Sequence, residues 1–110
     1  RSFFLLILGL RKHYRVFGES MLPTLSTGDL IIYRPIKEGE SPPAKGSIVV
    51  IKHPLEDKIL IIKRVHQSNP SWVKVRGDNE LESNDSRQFG AINYLQILGV
   101  VEQIIKVNRK

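Results

Sequence analysis

Residues 58–67 have the sequence KILIIKRVHQ, a long strand-like run in a chain of 110 residues. Its composition, rich in isoleucine and valine, favours an extended strand, and a proline-containing turn lies on each side of it. Strand alternation puts Ile59, Ile61, Lys63 and Val65 on one face, so that one lysine interrupts an otherwise apolar row. The run therefore predicts a strand with one apolar face and an unusual environment for Lys63.

Further strand-like runs lie on both sides of this one, separated by turn residues, and none has convincing helical periodicity. The last run predicts one or two strands with a bend at Gly99. Short strands at this spacing predict a mainly β fold. We expect a single domain of twisted, largely antiparallel strands that form a sheet or a partly open barrel. The additional runs are 29–34, 47–52, 71–76 and 94–107.

Charge and composition exclude several classes of function. The formal net charge is +6, but the basic residues are dispersed except at 11–15 and 108–110, and aromatic residues do not interleave with them. We therefore predict no nucleic-acid partner. The absence of cysteine excludes disulfides, thiolate metal sites and a cysteine nucleophile. Three scattered histidines offer no ligand spacing, so we predict no metal and no other cofactor.

The N-terminal segment 1–15 combines the apolar run FFLLILGL, residues 3–10, with a basic cluster at 11–15. Eight apolar residues are too few to cross a bilayer, which needs about 20. A truncated membrane anchor, an interfacial patch and a segment packed on the core all fit, and we favour a membrane-adjacent or core-packed segment. The expected localisation is cytoplasmic or membrane-associated, with a membrane anchor if further residues precede Arg1. The folded domain is predicted to occupy 16–107.

Ser20 lies in the sequence GESMLPTLSTGD, residues 18–29, where a proline and a Gly-Asp turn restrict the chain. A serine hydroxyl is a weak nucleophile until a neighbouring base removes its proton. Lys63 is one candidate base, since desolvation disfavours the ammonium form, lowers the lysine pKa from about 10.4 and leaves free amine. The alternatives are a lysine whose ammonium reaches water at the sheet edge, and a histidine base. The histidines are His13, His53 and His66.

A polar segment at 77–90, GDNELESNDSRQFG, combines a turn with hydroxyls, acids and an arginine. Ser83 could hydrogen-bond a neutral amine and orient it. Asp85 and Arg87 could form an ion pair that rigidifies the segment near the site. The alternative is an ordinary solvated loop with Asx turns.

Taken together, these segments resemble the nucleophile, lysine and Gly-Asp-Asn boxes of the signal peptidase I family of serine-lysine endopeptidases. They occur in the order that the family has. The resemblance implies a serine-type endopeptidase with a Ser-Lys dyad, in which Ser20 is the nucleophile and Lys63 is the general base. The three segments are GESMLPTLSTGD at 18–29, IIKRVH at 61–66 and GDNELESNDSRQFG at 77–90.

The resemblance also implies supporting roles. Ser83 matches the hydroxyl that holds the lysine, and Asp85 and Arg87 match the supporting ion pair. The Ser20 backbone N–H would stabilise the oxyanion. Gly18 occupies a position where many family members carry a serine that assists the oxyanion hole, which leaves the second donor open.

Substrate contacts and substrate class are implied in the same way. Met21 and Pro23 would shape the turn at the nucleophile and its apolar rim. The small size of the chain and the strand end at His53–Pro54 are similar to the nickel-type superoxide dismutase maturation proteases. That similarity implies removal of an N-terminal leader from a dismutase precursor. The alternatives are a general signal peptidase I that cleaves exported proteins at the membrane, and a catalytically idle, basic, membrane-associated binding module.

Overall fold

The structure, a computed structural model, describes residues 11–53, 58–81 and 90–107. These residues form seven strands and one short 3-10 turn. The strands are β1 (Lys12–Arg15), β2 (Leu30–Pro35), β3 (Ile48–Lys52), β4 (Leu60–Ser68), β5 (Trp72–Arg76), β6 (Ile92–Asn93) and β7 (Ile97–Ile105), and the 3-10 turn is Tyr94–Gln96.

All seven strands belong to one antiparallel sheet in the order β1-β2-β7-β3-β4-β5-β6. The sheet curls into a half-barrel whose edges, within the described ranges, are β1 and β6. The predicted mainly β fold with a partly open, largely antiparallel sheet is confirmed. No helix in the described part of the chain is long and apolar enough to cross a bilayer.

The four predicted runs from β2 to β5 are present, each starting one or two residues later than expected. The last run forms a single strand, β7, which continues through Gly99. A Cβ atom at Gly99 would lie 2.5 Å from the Tyr33 ring and 2.7 Å from the Arg34 carbonyl oxygen. Glycine at this position therefore permits the close approach of β2 to β7.

Strands β1 and β6 were not predicted. Residues 12–15, assigned from the sequence to the N-terminal segment, form β1 and pair with β2 from Lys12 opposite Tyr33 to Arg15 opposite Leu30. Residues 1–10 lie outside the described ranges, so the proposed boundary between residues 15 and 16 stays a prediction. Strand β6 has only two residues and pairs with β5.

Two apolar clusters cover opposite faces of the sheet, because neighbouring residues of β3 alternate between them. Ile62 on β4 belongs to the first cluster and Val65 to the second, so β4 is buried on both faces. The predicted apolar row on β4 is shorter than expected, since Ile59 is 45% exposed. The first cluster consists of Val16, Met21, Leu25, Ile31, Tyr33, Val50 and Ile62, and the second of Val49, Ile51, Val65, Val73, Val75, Ile92 and Ile97.

Candidate active site

Ser20 lies in the segment between β1 and β2, residues 16–29, here called the serine loop. The two ends of this loop are joined by a hydrogen bond of 2.8 Å from the Val16 N–H to the Asp29 carbonyl oxygen. The Thr27 hydroxyl accepts from the Gly18 N–H at 2.9 Å and donates to the Gly18 carbonyl oxygen at 3.0 Å. Gly18 has a φ of 98°, a conformation that favours glycine.

Apolar side chains anchor the serine loop to the first core cluster. Met21 is 2% exposed and Leu25 is fully buried, and the Leu25 N–H donates to the Met21 carbonyl oxygen at 2.9 Å. Ser20 itself is only half-buried. The residue next to Ser20 is therefore fixed in the core, while Ser20 remains accessible.

Lys63 lies on β4 directly opposite Val49 of β3 and is 3% exposed. Strand β3 pairs with it on one side, and the pairing of β4 with β5 begins at the next residue, Arg64. Burial of this kind disfavours the charged form of an amine. The alternative predicted from the sequence, a lysine at the sheet edge that reaches water, does not describe Lys63.

Gly77, directly after β5, lies next to both Ser20 and Lys63. A Cβ atom at this position would lie 2.5 Å from the Ser20 carbonyl oxygen and 3.4 Å from the Lys63 Nζ atom. Ser20 and Lys63 also line the same cavity, which has a volume of about 570 Å³. The structure thus brings together the serine and the lysine that the sequence singled out, 43 positions apart in the chain.

The turn formed by Gly77, Asp78 and Asn79 donates hydrogen bonds to Ser20 and to both of its neighbours in the serine loop. The Asn79 N–H donates to the Ser20 carbonyl oxygen and its side-chain amide donates to the Glu19 carbonyl oxygen, both at 2.9 Å. The Asp78 N–H donates to the Met21 sulfur at 3.4 Å. Because these bonds act on Ser20 and its two neighbours, the turn fixes the backbone that carries the hydroxyl.

The Asp78 carboxylate joins the serine loop to β4. It accepts from the Thr24 hydroxyl at 2.5 Å and from two nitrogens of Arg64, Nε at 2.9 Å and Nη2 at 2.8 Å. The hydrogen bonds from Arg64 are the largest influence on the pKa of Asp78 and, together with the bond from Thr24, hold it below its ordinary value despite partial burial. Arg64 is the neighbour of Lys63, so this bridge connects the loop that carries the serine to the strand that carries the lysine.

Replacement of Asp78 by asparagine is expected to destabilise the protein. The change removes the charge that pairs with Arg64, and we expect the free energy of unfolding to fall by about 1–2 kcal/mol, a modest value because Arg64 is 36% exposed. Denaturant unfolding of the variant and of Glu38→Gln, an exposed control, measures the effect.

The pH dependence of this difference has a definite sign. The pKa of Asp78 is lower in the folded protein than its ordinary value of 3.8, so its stabilisation is present above that value and is lost as the pH falls through the folded-state pKa. The difference in the free energy of unfolding between wild type and Asp78→Asn should therefore be largest at neutral pH and should become smaller in acid. A difference that grows as the pH falls would contradict the stabilising role of the ionised Asp78 carboxylate.

Besides Ser20 and Lys63, the structure describes three of the predicted site residues, Gly18, Met21 and Pro23. Gly18 and Met21 line the cavity together with Ser20, whereas Pro23 is exposed and is not among the described residues that line it. Ser83, Asp85 and Arg87 fall within 82–89, outside the described ranges, and their roles stay predictions.

The three histidines occupy different places. His13 is exposed on the edge strand β1, and His66 lines a second cavity of about 230 Å³ with Arg64 and Arg76. His53, at the end of β3, lines the cavity that contains Ser20 and Lys63. Among the histidines considered as bases, His53 is thus the remaining rival to Lys63.

Sequence reasoning missed the residues that hold the site together, namely Thr24, Arg64 and the turn at 77–79. Each lies in a segment that was singled out, but their partners are up to 60 residues apart. The sequence features that could have identified these residues are an arginine next to Lys63 and a carboxylate next to Gly77. No group of three or more metal-ligating side chains occurs in the part of the chain that the structure describes.

Comparison with known proteins agrees with this geometry. The family model described as signal peptidase, peptidase S26 matches residues 2–70, more than half of the chain. The mitochondrial ATP-independent inner membrane protease subunit 1a of Arabidopsis thaliana is 30% identical over 107 residues, covering 76% of this chain and 64% of the relative. Subunit 1b of the same organism is 32% identical over 108 residues, covering 77% and 64%.

The chain spans slightly less than two thirds of the length of these two relatives. The family match includes both the serine loop and Lys63, which share the cavity described above. The chain belongs to the signal peptidase (peptidase S26) family.

Proposed function

We propose that this chain is a serine endopeptidase that removes an N-terminal leader from a precursor protein, with Ser20 and Lys63 as its catalytic dyad. The observation that supports this most is the shared cavity, in which a half-buried serine and a 3% exposed lysine both approach Gly77. A buried amine next to an accessible hydroxyl suits nucleophilic catalysis with a lysine base.

In the first step, the Ser20 hydroxyl attacks the carbonyl carbon of the scissile peptide bond, and Lys63 Nζ accepts its proton. The resulting tetrahedral oxyanion accepts a hydrogen bond from the Ser20 backbone N–H. When the C–N bond breaks, the Lys63 ammonium donates that proton to the leaving amine. The mature protein leaves with the new amino terminus, and an ester between the leader and the Ser20 oxygen remains.

In the second step, a water molecule attacks the ester. Lys63, again neutral, accepts a proton from the water, and the Ser20 oxygen leaves and takes up that proton. The released leader carries the new carboxylate. Both steps require that Lys63 lose its proton readily, which is what burial favours.

Gly18 supports the site through the shape of the serine loop. Its N–H already donates to the Thr27 hydroxyl at 2.9 Å, so Gly18 contributes through its backbone conformation, with a φ of 98°. Ser83, as the hydroxyl that orients the amine, and the pair Asp85 and Arg87 complete the proposed site on the strength of the family resemblance.

Replacement of Gly77 by alanine is expected to impair both stability and cleavage. The added methyl group would lie 2.5 Å from the Ser20 carbonyl oxygen, so the backbone at Ser20 or at Gly77 must shift and the alignment of Ser20 with Lys63 changes. A displacement of the nucleophile of about 1 Å can lower the rate on the order of 100-fold. Steady-state cleavage kinetics measure the loss.

Gly39→Ala is the matched control for this change. It introduces the same methyl group at a glycine with open space around the Cβ position, although its φ of 83° makes it moderately strained. We expect Gly39→Ala to lower the melting temperature slightly and to leave the cleavage rate unchanged. Equal cleavage by Gly77→Ala and wild type would contradict the close contact of Gly77 with the backbone that carries Ser20.

The cavity suits an apolar stretch of polypeptide. Its walls include side chains from β3, β4 and β6, and apolar residues predominate among them. We infer that Met21 contacts the substrate at the floor of this cavity and that Pro23 contributes to the outer rim of the serine loop. The apolar lining residues include Ile51, Ile59, Leu60, Ile61, Ile62 and Ile92.

Two substrate classes are candidates. The resemblance to small maturation proteases favours the precursor of a nickel-type superoxide dismutase. The names of the two relatives, inner membrane protease subunits, favour a precursor that is processed at a membrane, as in a general signal peptidase. For either class, the basic and apolar residues of the segment 1–15 would provide a peripheral membrane contact.

Incubation of the purified chain with each precursor, followed by mass spectrometry of the new N-terminus, separates these candidates. Cleavage of the leader-bearing dismutase precursor alone supports maturation, and cleavage of an exported preprotein supports general signal processing. Ser20→Ala is the control for contaminating proteases. Absence of cleavage of both precursors would overturn the proposal in favour of an idle binding module.

A further inference from the structure

Asp29, at the end of the serine loop, is a fully buried carboxylate that the proposed reaction does not use. Its Oδ2 atom accepts from the Ser26 N–H at 2.9 Å and from Lys106 Nζ at 2.8 Å, and its Oδ1 atom accepts from the Val107 N–H at 3.1 Å. One carboxylate thus joins the serine loop to the segment that follows β7.

Lys106 makes a second contact with the same loop. Its Nζ atom donates to the Thr24 carbonyl oxygen at 2.8 Å, in addition to its bond with Asp29. The Thr24 hydroxyl in turn donates to Asp78, which pairs with Arg64 on β4. Thr24 is therefore held from two sides, by Lys106 through its backbone and by Asp78 through its side chain.

We propose that Lys106 and Asp29 are positioning residues, a clamp through which the segment that follows β7 holds the serine loop so that Ser20 stays aligned with Lys63. This inference rests on the proposed peptidase function for its effect on rate. The contacts of Lys106 and Asp29 with the serine loop do not depend on that function.

Removal of Lys106 should loosen the loop because the buried Asp29 carboxylate loses the ammonium that donates to its Oδ2 atom. Loss of a charge-assisted hydrogen bond at a buried carboxylate is costly, and the loop can relieve that cost by admitting water to Asp29. The Thr24 carbonyl oxygen loses its ammonium donor at the same time. Ser20 lies four residues before Thr24, so displacement of this part of the loop moves the nucleophile.

The test compares three variants of the full chain. Lys106→Met removes the ammonium and keeps a side chain of similar length, Lys106→Arg keeps a cation, and Lys45→Met makes the same change at an exposed lysine. We expect Lys106→Met to lower kcat at least about tenfold with KM within about twofold, since misalignment affects the chemical step more than binding. Lys106→Arg should recover most of kcat, and Lys45→Met should match wild type.

Hydrogen–deuterium exchange provides a readout that needs no substrate. In Lys106→Met we expect faster exchange of the backbone N–H groups at 24–29, which include the bonded groups of Leu25, Ser26 and Asp29, with no change at 49–51 in β3. Global destabilisation would accelerate both regions. The local pattern therefore distinguishes a clamp on the loop from a general loss of stability.

These experiments distinguish failure of the clamp from failure of the proposed peptidase function. Unchanged loop exchange in Lys106→Met overturns the clamp, and so does unchanged kcat in an active preparation. If wild type cleaves no precursor, the peptidase proposal fails, and the exchange experiment alone still decides whether the clamp exists. Lys106 is the chosen position because it is half-exposed, whereas changes at the buried Asp29 can prevent folding.

Discussion

Replacement of Ser20 by alanine is expected to abolish cleavage, with kcat lower by on the order of 10,000-fold or more. The change removes the oxygen that would form the ester with the precursor. It leaves the loop intact, because the bond at Ser20 that holds the turn is accepted by its backbone carbonyl oxygen, which alanine retains. Cleavage kinetics and thermal unfolding of the same preparation measure the two expectations.

Ser26→Ala is the matched control in the same loop. Its backbone N–H, which donates to Asp29, is retained in alanine. We expect this variant to cleave at a rate within about twofold of wild type, as for a hydroxyl outside the reacting centre. If Ser20→Ala kept a tenth of the wild-type rate, or if Ser26→Ala showed the larger loss, Ser20 would not be the nucleophile.

Replacement of Lys63 by methionine is also expected to cause a large loss of activity. The nucleophile would lose its base and the leaving amine its proton donor, so kcat should fall on the order of 1,000-fold or more. Methionine fills a similar volume without an amine, and Lys63 is 3% exposed, so the fold should be retained or slightly stabilised. Circular dichroism and the melting temperature test the second statement.

His53→Gln decides between the two bases that share the cavity with Ser20. If Lys63 is the base, His53→Gln should retain activity within about tenfold of wild type, since its contribution is limited to the cavity wall. A reversed result, with Lys63→Met active and His53→Gln inactive, would assign the reaction to a serine and a histidine instead.

The sequence was a good guide to the central strands and a poor one to the edges. Strands β2 to β5 contain runs rich in isoleucine, valine and leucine between turn residues, and their positions were predicted to within two residues. Strand β1 has the sequence KHYR, which is polar and largely exposed, so its pairing with β2 has no counterpart in the apolar pattern. Strand β6 has only two residues, too few to show an alternation of apolar and polar side chains.

Burial along β4 shows a second limit. Alternation predicted one apolar face, but Ile62 is buried on the opposite face, because the serine loop supplies Met21 and Leu25 to cover it. Coverage by a loop from elsewhere in the chain cannot be deduced from the strand itself. Lys63 lies on the other face, and its burial also depends on long-range packing. The sequence could therefore predict this burial but could not demonstrate it.

The candidate site divides in a similar way. The chemistry of Ser20 and Lys63 could be inferred from residue type and from the family resemblance. The bonds that align them could not, since Asn79 contacts Glu19 and Ser20 across about 60 residues and Asp78 contacts Thr24 across 54. A polar turn such as 77–79 has many possible partners, and the fold selects among them.

Titration of the Lys63 side chain by NMR, with Lys63→Met used to assign its signal, tests the role of this amine most directly. We expect Lys63 to lose its proton below the ordinary lysine pKa of about 10.4, because burial disfavours the ammonium, and cleavage should rise with pH over the same range. If Lys63 titrated at that ordinary value, with cleavage unchanged from pH 6 to pH 9, a neutral Lys63 would not be the base.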